Sequence, residues 1–243
     1  MADSSPIVLI LGAGPNIGKH VAQSFAAKGY KVALASRTDH RHSTSDDTIH
    51  IPTDLSEPNL IIDVFAQVEE KLGAAPSVVV YNGALRIPDD TSDPIGTFSF
   101  ANHHSALAVN HLSVLQALHQ AVLGFRTLPA SASKTFIFTG NILNMTTRPG
   151  VLSFGITKTA TSYAFRYLGE QRIYEKEGIK FYYADERSPT GDAVYLDIDG
   201  AAAAEEYVKL SERKDQGPWL HTFTKGHGYK DFGSDIKPSA RNT

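Results

Sequence analysis

Cysteine is absent from the chain, so neither a disulfide framework nor a thiol nucleophile is available. That absence suits a reducing compartment, and a cytoplasmic location is expected. Long apolar runs are also missing. After the polar start MADSSP, the first apolar run, residues 7–11, is too short for a signal-peptide core or a membrane span. Charge of one sign is scarce: 23 Lys and Arg against 26 Asp and Glu give a formal net charge of −3. No like-charge block is long enough to suggest a nucleic-acid arm. The histidines are scattered, with His103-His104 the one adjacent pair, and no HExxH or CxxC pattern accompanies them. A metal site is therefore not expected. No repeat or low-complexity linker interrupts the 243 residues, and 42% hydrophobic content suffices for one sizeable core.

What the chain does have is alternation. IVLIL (7–11) ends at a glycine and reads as a buried parallel strand. NIGKHVAQSFAAKG continues at helical spacing and stops at Gly29. Strands are expected at 30–36, 48–52, 77–81, 134–140, 179–185 and 219–224. Ser56 should cap a helix running to about Lys71, with Gly73 beyond its end. One long amphipathic helix is expected over 97–125, another over 156–178 and a third over 201–214. Strand–helix alternation of this kind predicts an α/β fold: a Rossmann-type, doubly wound parallel sheet in a three-layer α/β/α domain. One domain should span 1–243, with a substrate lid at about 186–218 and a loose polar tail from about 231.

Between the first strand and first helix lies GAGPNIG, Gly12 to Gly18. A glycine turn at that place lets backbone approach a pyrophosphate at a helix N-terminus. Gly12, Asn16, Ile17 and Gly18 are the expected contacts; Asn16 tolerates a positive φ, and Gly14 relieves crowding. The second strand ends in Ser36-Arg37 rather than an acidic residue. A guanidinium matches a ribose 2′-phosphate in charge and geometry, so NADP(H) is favoured over NAD(H). The plainer reading is a solvated surface arginine. Arg41 and His42 are further candidates for the same anion site.

The turn, spaced as Gly-xxx-Asn-x-Gly, resembles that of the short-chain dehydrogenase/reductase family, and the resemblance runs from Ile7 to about Pro189. It implies that Asp54 and Leu55 contact the adenine. YNGA (81–84) resembles the family's Asn-Ala-Gly with the last two residues exchanged; Asn82 would steady the sheet, and Gly83 and Ala84 would run along the cofactor. Asn110, in LAVNHLSVLQA, matches a helix asparagine that supports a water chain to the active-site lysine. SFGITKTA (153–160) resembles the Tyr-x-x-x-Lys helix, with Lys158 in place and Phe154 at the tyrosine position. The family serine falls thirteen residues earlier, where this chain has Asn141. Thr157 and Pro189 also fit family positions. ERSPTGD departs from the usual Pro-Gly loop. The resemblance further implies a homodimer or homotetramer through the two long central helices.

Lys158 and Asn110 remain while the family's proton-transfer pair is replaced. Phe154 has no donor at any pH, and Asn141 donates a hydrogen bond without releasing a proton. Three functions follow. The first is an NADP(H)-dependent oxidoreductase using a nonstandard proton route on a small carbonyl, imine or enone. The second is a non-redox catalyst, an isomerase or cyclase, with the cofactor as scaffold. The third is a catalytically silent NADP(H) sensor. The expected partner is a small-molecule substrate, with no nucleic acid and no membrane. Asn144, His111, His221, Tyr182, Tyr183 and Asp185 could approach the substrate, and no spacing selects among them.

Overall fold

Every residue of the first strand is apolar because both of its faces are covered. In β1 (Ile7–Leu11), Ile7, Leu9 and Leu11 face one core while Val8 and Ile10 face the other. The computed structural model describes residues 5–38 and 47–232, so Arg41, His42 and the tail beyond 232 lie outside the described residues. The further strands are β2 (Lys31–Ser36), β3 (Thr48–Pro52), β4 (Val78–Tyr81), β5 (Thr135–Thr139), β6 (Lys180–Glu186), β7 (Leu220–Thr224) and β8 (Gly228–Tyr229). They form one sheet in the order β3-β2-β1-β4-β5-β6-β7-β8. All pairings are parallel except β7 with β8, a short antiparallel strand that the sequence pattern did not announce.

One face is covered by α1 (Ile17–Ala27) and α6 (Gly200–Glu212), through Val21, Phe25, Ala204 and Tyr207. The other carries α2 (Leu60–Leu72), α4 (Ser113–Thr127) and α5 (Leu152–Gln171), through Phe65, Leu118, Phe125 and Phe165. This is the doubly wound Rossmann arrangement. Strand order reverses between β1 and β4, and the carboxyl ends of the strands beside that point leave a crevice.

Several helix boundaries differ from expectation. α2 starts at Leu60 with Asn59 as its N-cap residue, and Ser56 lies in the turn before it, its hydroxyl donated to Asp54 Oδ1 at 2.8 Å. Its end is as expected, with Gly73 left-handed at φ 91°. The stretch 97–125 is not one α-helix. α3 (Phe100–Leu107) passes into a single π turn, Ala108–Leu112, before α4 begins. Such turns insert one residue and re-aim a side chain, here Asn110. α5 begins four residues earlier than expected, and it ends at Gln171 where Arg172 turns left-handed at φ 48°. Ser153 N–H donates to Asp89 Oδ2 at 3.0 Å, satisfying a free donor of the first turn.

Candidate active site and cofactor cleft

The glycine turn is set by steric demands at two of its residues. Gly12 has φ 86°, and a Cβ there would collide with the backbone of Gly83. At Gly18 a Cβ would stand 2.8 Å from Ala13 backbone atoms. Gly14 differs from expectation: a Cβ there would meet only open space, so it relieves no crowding within the chain. Asn16 also differs. Its φ is −97°, and no positive φ is needed. Its carboxamide instead donates to Ile198 O at 3.0 Å and accepts from Gly200 N–H at 3.1 Å, tying the turn to the start of α6.

Asn82 Nδ2 donates to Gly12 O at 3.0 Å and so fixes the turn from β4. Gly83 leaves room for the Leu55 side chain, which a Cβ would strike. At the neighbouring strand ends, Ser36 Oγ lies 3.1 Å from His50 Nε2. Arg37 is exposed. The Asp54 carboxyl is held below its usual range, first by the Ser56 amide and hydroxyl and further by Arg37.

A cavity of about 570 Å³ opens at the carboxyl ends of β4, β5 and β6. It brings together five of the expected residues: Ile17, Asn82, Ala84, Asn141 and Phe154, with Lys158 as the sixth. Gly12, Asn16, Gly18, Ser36, Arg37, Asp54, Leu55 and Gly83 are not in its lining, and neither is Asn110. Pro189 also stays away: the chain turns back through an Arg187–Ala193 bridge, and Pro189 O accepts from Lys230 Nζ at 2.8 Å.

Lys158 is 3% exposed. Its Nζ donates to Thr139 O at 3.1 Å and lies 4.2 Å from the Phe138 ring centre. Phe154, one turn earlier on α5, presents its ring centre at 5.6 Å. Burial lowers the ammonium pKa to about 7, with the nearby Asp185 charge pulling it back up. Asp185 is pushed up to about 6 by burial, against the opposing influence of Arg187. The two form a buried ion pair, Arg187 Nε to Asp185 Oδ2 at 2.6 Å.

Asn141 is anchored at both main-chain groups by Tyr183: its N–H donates to the phenol oxygen at 3.0 Å, and its carbonyl accepts from that hydroxyl at 2.9 Å. The Asn141 Oδ1 accepts from Leu143 N–H at 3.1 Å, and the residue lines the cavity. Asn110 is fully buried. Its carboxamide donates to Leu85 O at 2.8 Å and to Thr157 Oγ1 at 3.1 Å, and accepts from Leu85 N–H at 2.9 Å. Its carbonyl accepts from Thr161 Oγ at 2.6 Å. The residue thus joins the loop after β4 to α5 rather than reaching the cavity itself. Ser153, His103 and Asp89 also cluster, with His103 Nδ1 2.9 Å from Ser153 Oγ. Asp89 bonds the Ser153 amide, so the group anchors α5 and is not arranged as a nucleophile triad.

Tyr207, Arg86, Arg148 and Asp185 are among the cavity residues that the sequence pattern did not single out. Tyr207 of α6 hydrogen-bonds Thr139 Oγ1 at 2.8 Å, and burial raises its pKa. Arg86 and Arg148 come from loops, where no periodicity marks a position. Asp185 was one of several candidates at strand ends.

The family model described as short chain dehydrogenase matches residues 6–180. The chain belongs to the short-chain dehydrogenase/reductase family. A curated member, Short chain dehydrogenase/reductase dmxR12 of Cryptosporiopsis sp. (strain 8999), is 40% identical over 248 residues, covering 97% of this chain and 98% of its own. Among solved structures, ElxO with NADP bound, and a tyrosine-to-phenylalanine variant of it with NADPH bound, each superpose with a TM-score of 0.74 at 15% identity. Each covers 90% of this chain and 96% of its own. A 3-ketoacyl-(acyl-carrier-protein) reductase from Brucella melitensis, complexed with NADH, gives 0.72 at 16% identity, over 91% of this chain and 97% of its own. As a short-chain dehydrogenase/reductase the chain is an oxidoreductase by family, and these neighbours share its fold. No helix among the described residues is long and apolar enough to cross a membrane.

Proposed function

We propose that this family member is an NADP(H)-dependent oxidoreductase that reduces a small organic carbonyl, imine or enone without a donor at residue 154. The observation that carries the reading is Lys158: a buried amine titrating near neutrality, in the wall of the cavity, beside a ring that cannot release a proton.

The residues present fit a dinucleotide. Gly12 and Gly18 keep the turn tight, and the bare Cα of Gly14 leaves open space where backbone could approach a pyrophosphate. Arg37, exposed beyond β2, suits a ribose 2′-phosphate. Asp54 and Leu55 would border the adenine, with Asn82, Gly83 and Ala84 alongside. Neighbours of this fold bind NADP, NADPH and NADH, which is consistent with a nicotinamide cofactor here. When bound, that cofactor supplies the hydride.

The chain's own part is positioning and proton supply. The Nδ2 of Asn141 donates to the oxygen on which negative charge develops. Lys158 in its ammonium form gives that oxygen a proton, becomes neutral, and is reprotonated from solvent through the cavity. Burial serves this by bringing its pKa close to working pH. Asn110 positions α5, and through it Lys158, by way of Thr157 and Thr161.

A second reading, a non-redox isomerase or cyclase or a silent cofactor sensor, is favoured by Phe154 alone. Titration of NADPH, followed by absorbance with carbonyl, imine and enone panels, separates the readings. Turnover of any class supports the first. Tight binding without turnover supports the second, and failure to bind NADPH removes both. A cytoplasmic homodimer or homotetramer belongs to the same proposal. It is supported by exposed apolar side chains on the long helices: Leu115 and Leu123 on α4, Ile156, Tyr163 and Tyr167 on α5.

A further inference from the structure

Two exposed arginines line the cavity. Arg86, in the loop after β4, and Arg148, in the loop between β5 and α5, both line it. Neither makes an ion pair among the described residues. The same wall also carries two carboxylates. Asp185 is paired with Arg187, and Glu186 accepts from the Asp199 amide at 2.8 Å. Arg148 lies against an aromatic face: its guanidinium carbon stands 4.4 Å from the Tyr195 ring centre. Tyr195 holds that position with a left-handed backbone, φ 50°, which a non-glycine residue adopts only when its surroundings demand it.

The rest of the mouth is apolar. Leu196 lines the cavity yet is 98% exposed, and Ile198 beside it is 39% exposed. Val151, Leu143 and Phe154 also line it. Such a surface offers contact to an apolar body, with planar cations at its edge. An arginine fork matches a delocalised oxyanion by geometry, and lying against a ring keeps it preorganised. Of the positions expected to hold the cofactor's anions, Gly12, Asn16, Gly18 and Arg37 do not line this cavity, while Ile17 of the turn stands at its edge.

We propose that the substrate is an amphiphilic acid: an apolar, ring-sized body carrying a planar oxyanion, a carboxylate or an ionised enol, that Arg148 and Arg86 hold at the cavity mouth. The inference rests on the reading of this cavity as the reducing site. It adds what that reading lacks, a charge requirement on the substrate. Arg148 and Tyr195 form the platform, and Arg86 gives the second charge.

Calorimetry with matched pairs tests it, on NADPH-free and NADPH-saturated protein: naphthoic acid against naphthamide, and lawsone against its methyl ether. The acid of each pair is expected to bind at least about tenfold more tightly, the value of one charge-assisted hydrogen bond. Added salt should erode that preference. The double variant Arg86→Gln/Arg148→Gln should abolish it, with Arg148→Lys intermediate because charge survives and the fork does not. The carboxylate pair and the enol pair report separately on the two kinds of oxyanion. Equal binding of acid and neutral partner in both pairs, binding of none of the four, or a preference that survives in a folded double variant would each overturn the proposal. Saturable NADPH binding alongside any of these leaves the reductase reading standing; loss of NADPH binding with an intact acid preference would do the reverse.

Discussion

Lys158 holds its ammonium 5.6 Å from the centre of the Phe154 ring, one helical turn away, and 4.2 Å from that of Phe138. The lysine therefore sits between two aromatic faces with one hydrogen bond, to Thr139 O. Neither ring can accept its proton, and the apolar surroundings bring its pKa down to about 7.

Phe154→Tyr should bring a phenol next to Lys158. Carbonyl reduction by this variant, combined with Asn141→Ser, is expected to rise by about two orders of magnitude, the lower end of the range for a positioned acid. Steady-state NADPH oxidation measures it. An unchanged rate would place the reacting oxygen away from residue 154.

The pH dependence of the wild type should follow Lys158. Its cationic form donates the proton, so kcat for reduction falls as pH rises through about 7. Lys158→Met should be slow and lose that inflection. Stability gives an independent sign. The folded pKa lies below the ordinary 10.5, so the unfolded chain binds more protons between the two values. This group's contribution to stability is therefore greatest above the ordinary value and is lost as pH falls toward 7. Lys158→Met should gain most in Tm at or below neutral pH and least near pH 10.5. A Tm difference independent of pH would contradict the assignment.

Arg37→Ala should shift cofactor preference. Loss of a charge-assisted contact to a phosphate is worth about 1.5–3 kcal/mol, so the ratio of NADPH to NADH affinity should fall at least about tenfold. Fluorescence titration of both cofactors reads this directly. A ratio that stays put would mean that Arg37 is a solvated surface residue.

Asp185→Asn should be the most destabilising change at the cavity, because Arg187 is 4% exposed and would be left charged and unpaired. A loss of about 3–5 kcal/mol is expected in urea unfolding. Replacing both partners, as Asp185→Leu/Arg187→Met, should recover most of it. If the single variant loses nothing, the pair is not buried in solution.

Much of this was legible without a structure. The unbroken apolar run 7–11 predicts a strand covered on both faces, and Ile7 through Leu11 divide between two cores as that pattern requires. The glycine turn and the i, i+4 relation of Phe154 and Lys158 are local, so spacing alone carries them. Asn110 was readable as important, but not its mode of action: only the π turn shows its side chain turned onto the Leu85 backbone. The same limit applies to Ser56, which lies in a turn with Asp54 ahead of the helix that starts at Leu60.

The sequence by itself determined the layers and the absence of a hydroxyl at residue 154, one turn before Lys158, because these follow from periodicity and near-neighbour spacing. Tertiary structure alone decided what surrounds that lysine. Arg86, Arg148, Asp185, Tyr195 and Tyr207 come from five different segments and meet in one cavity. They meet because adjacent parallel strands deliver their carboxyl ends, and the loops that follow, to one edge of the sheet; loops carry no period from which such a meeting could be read.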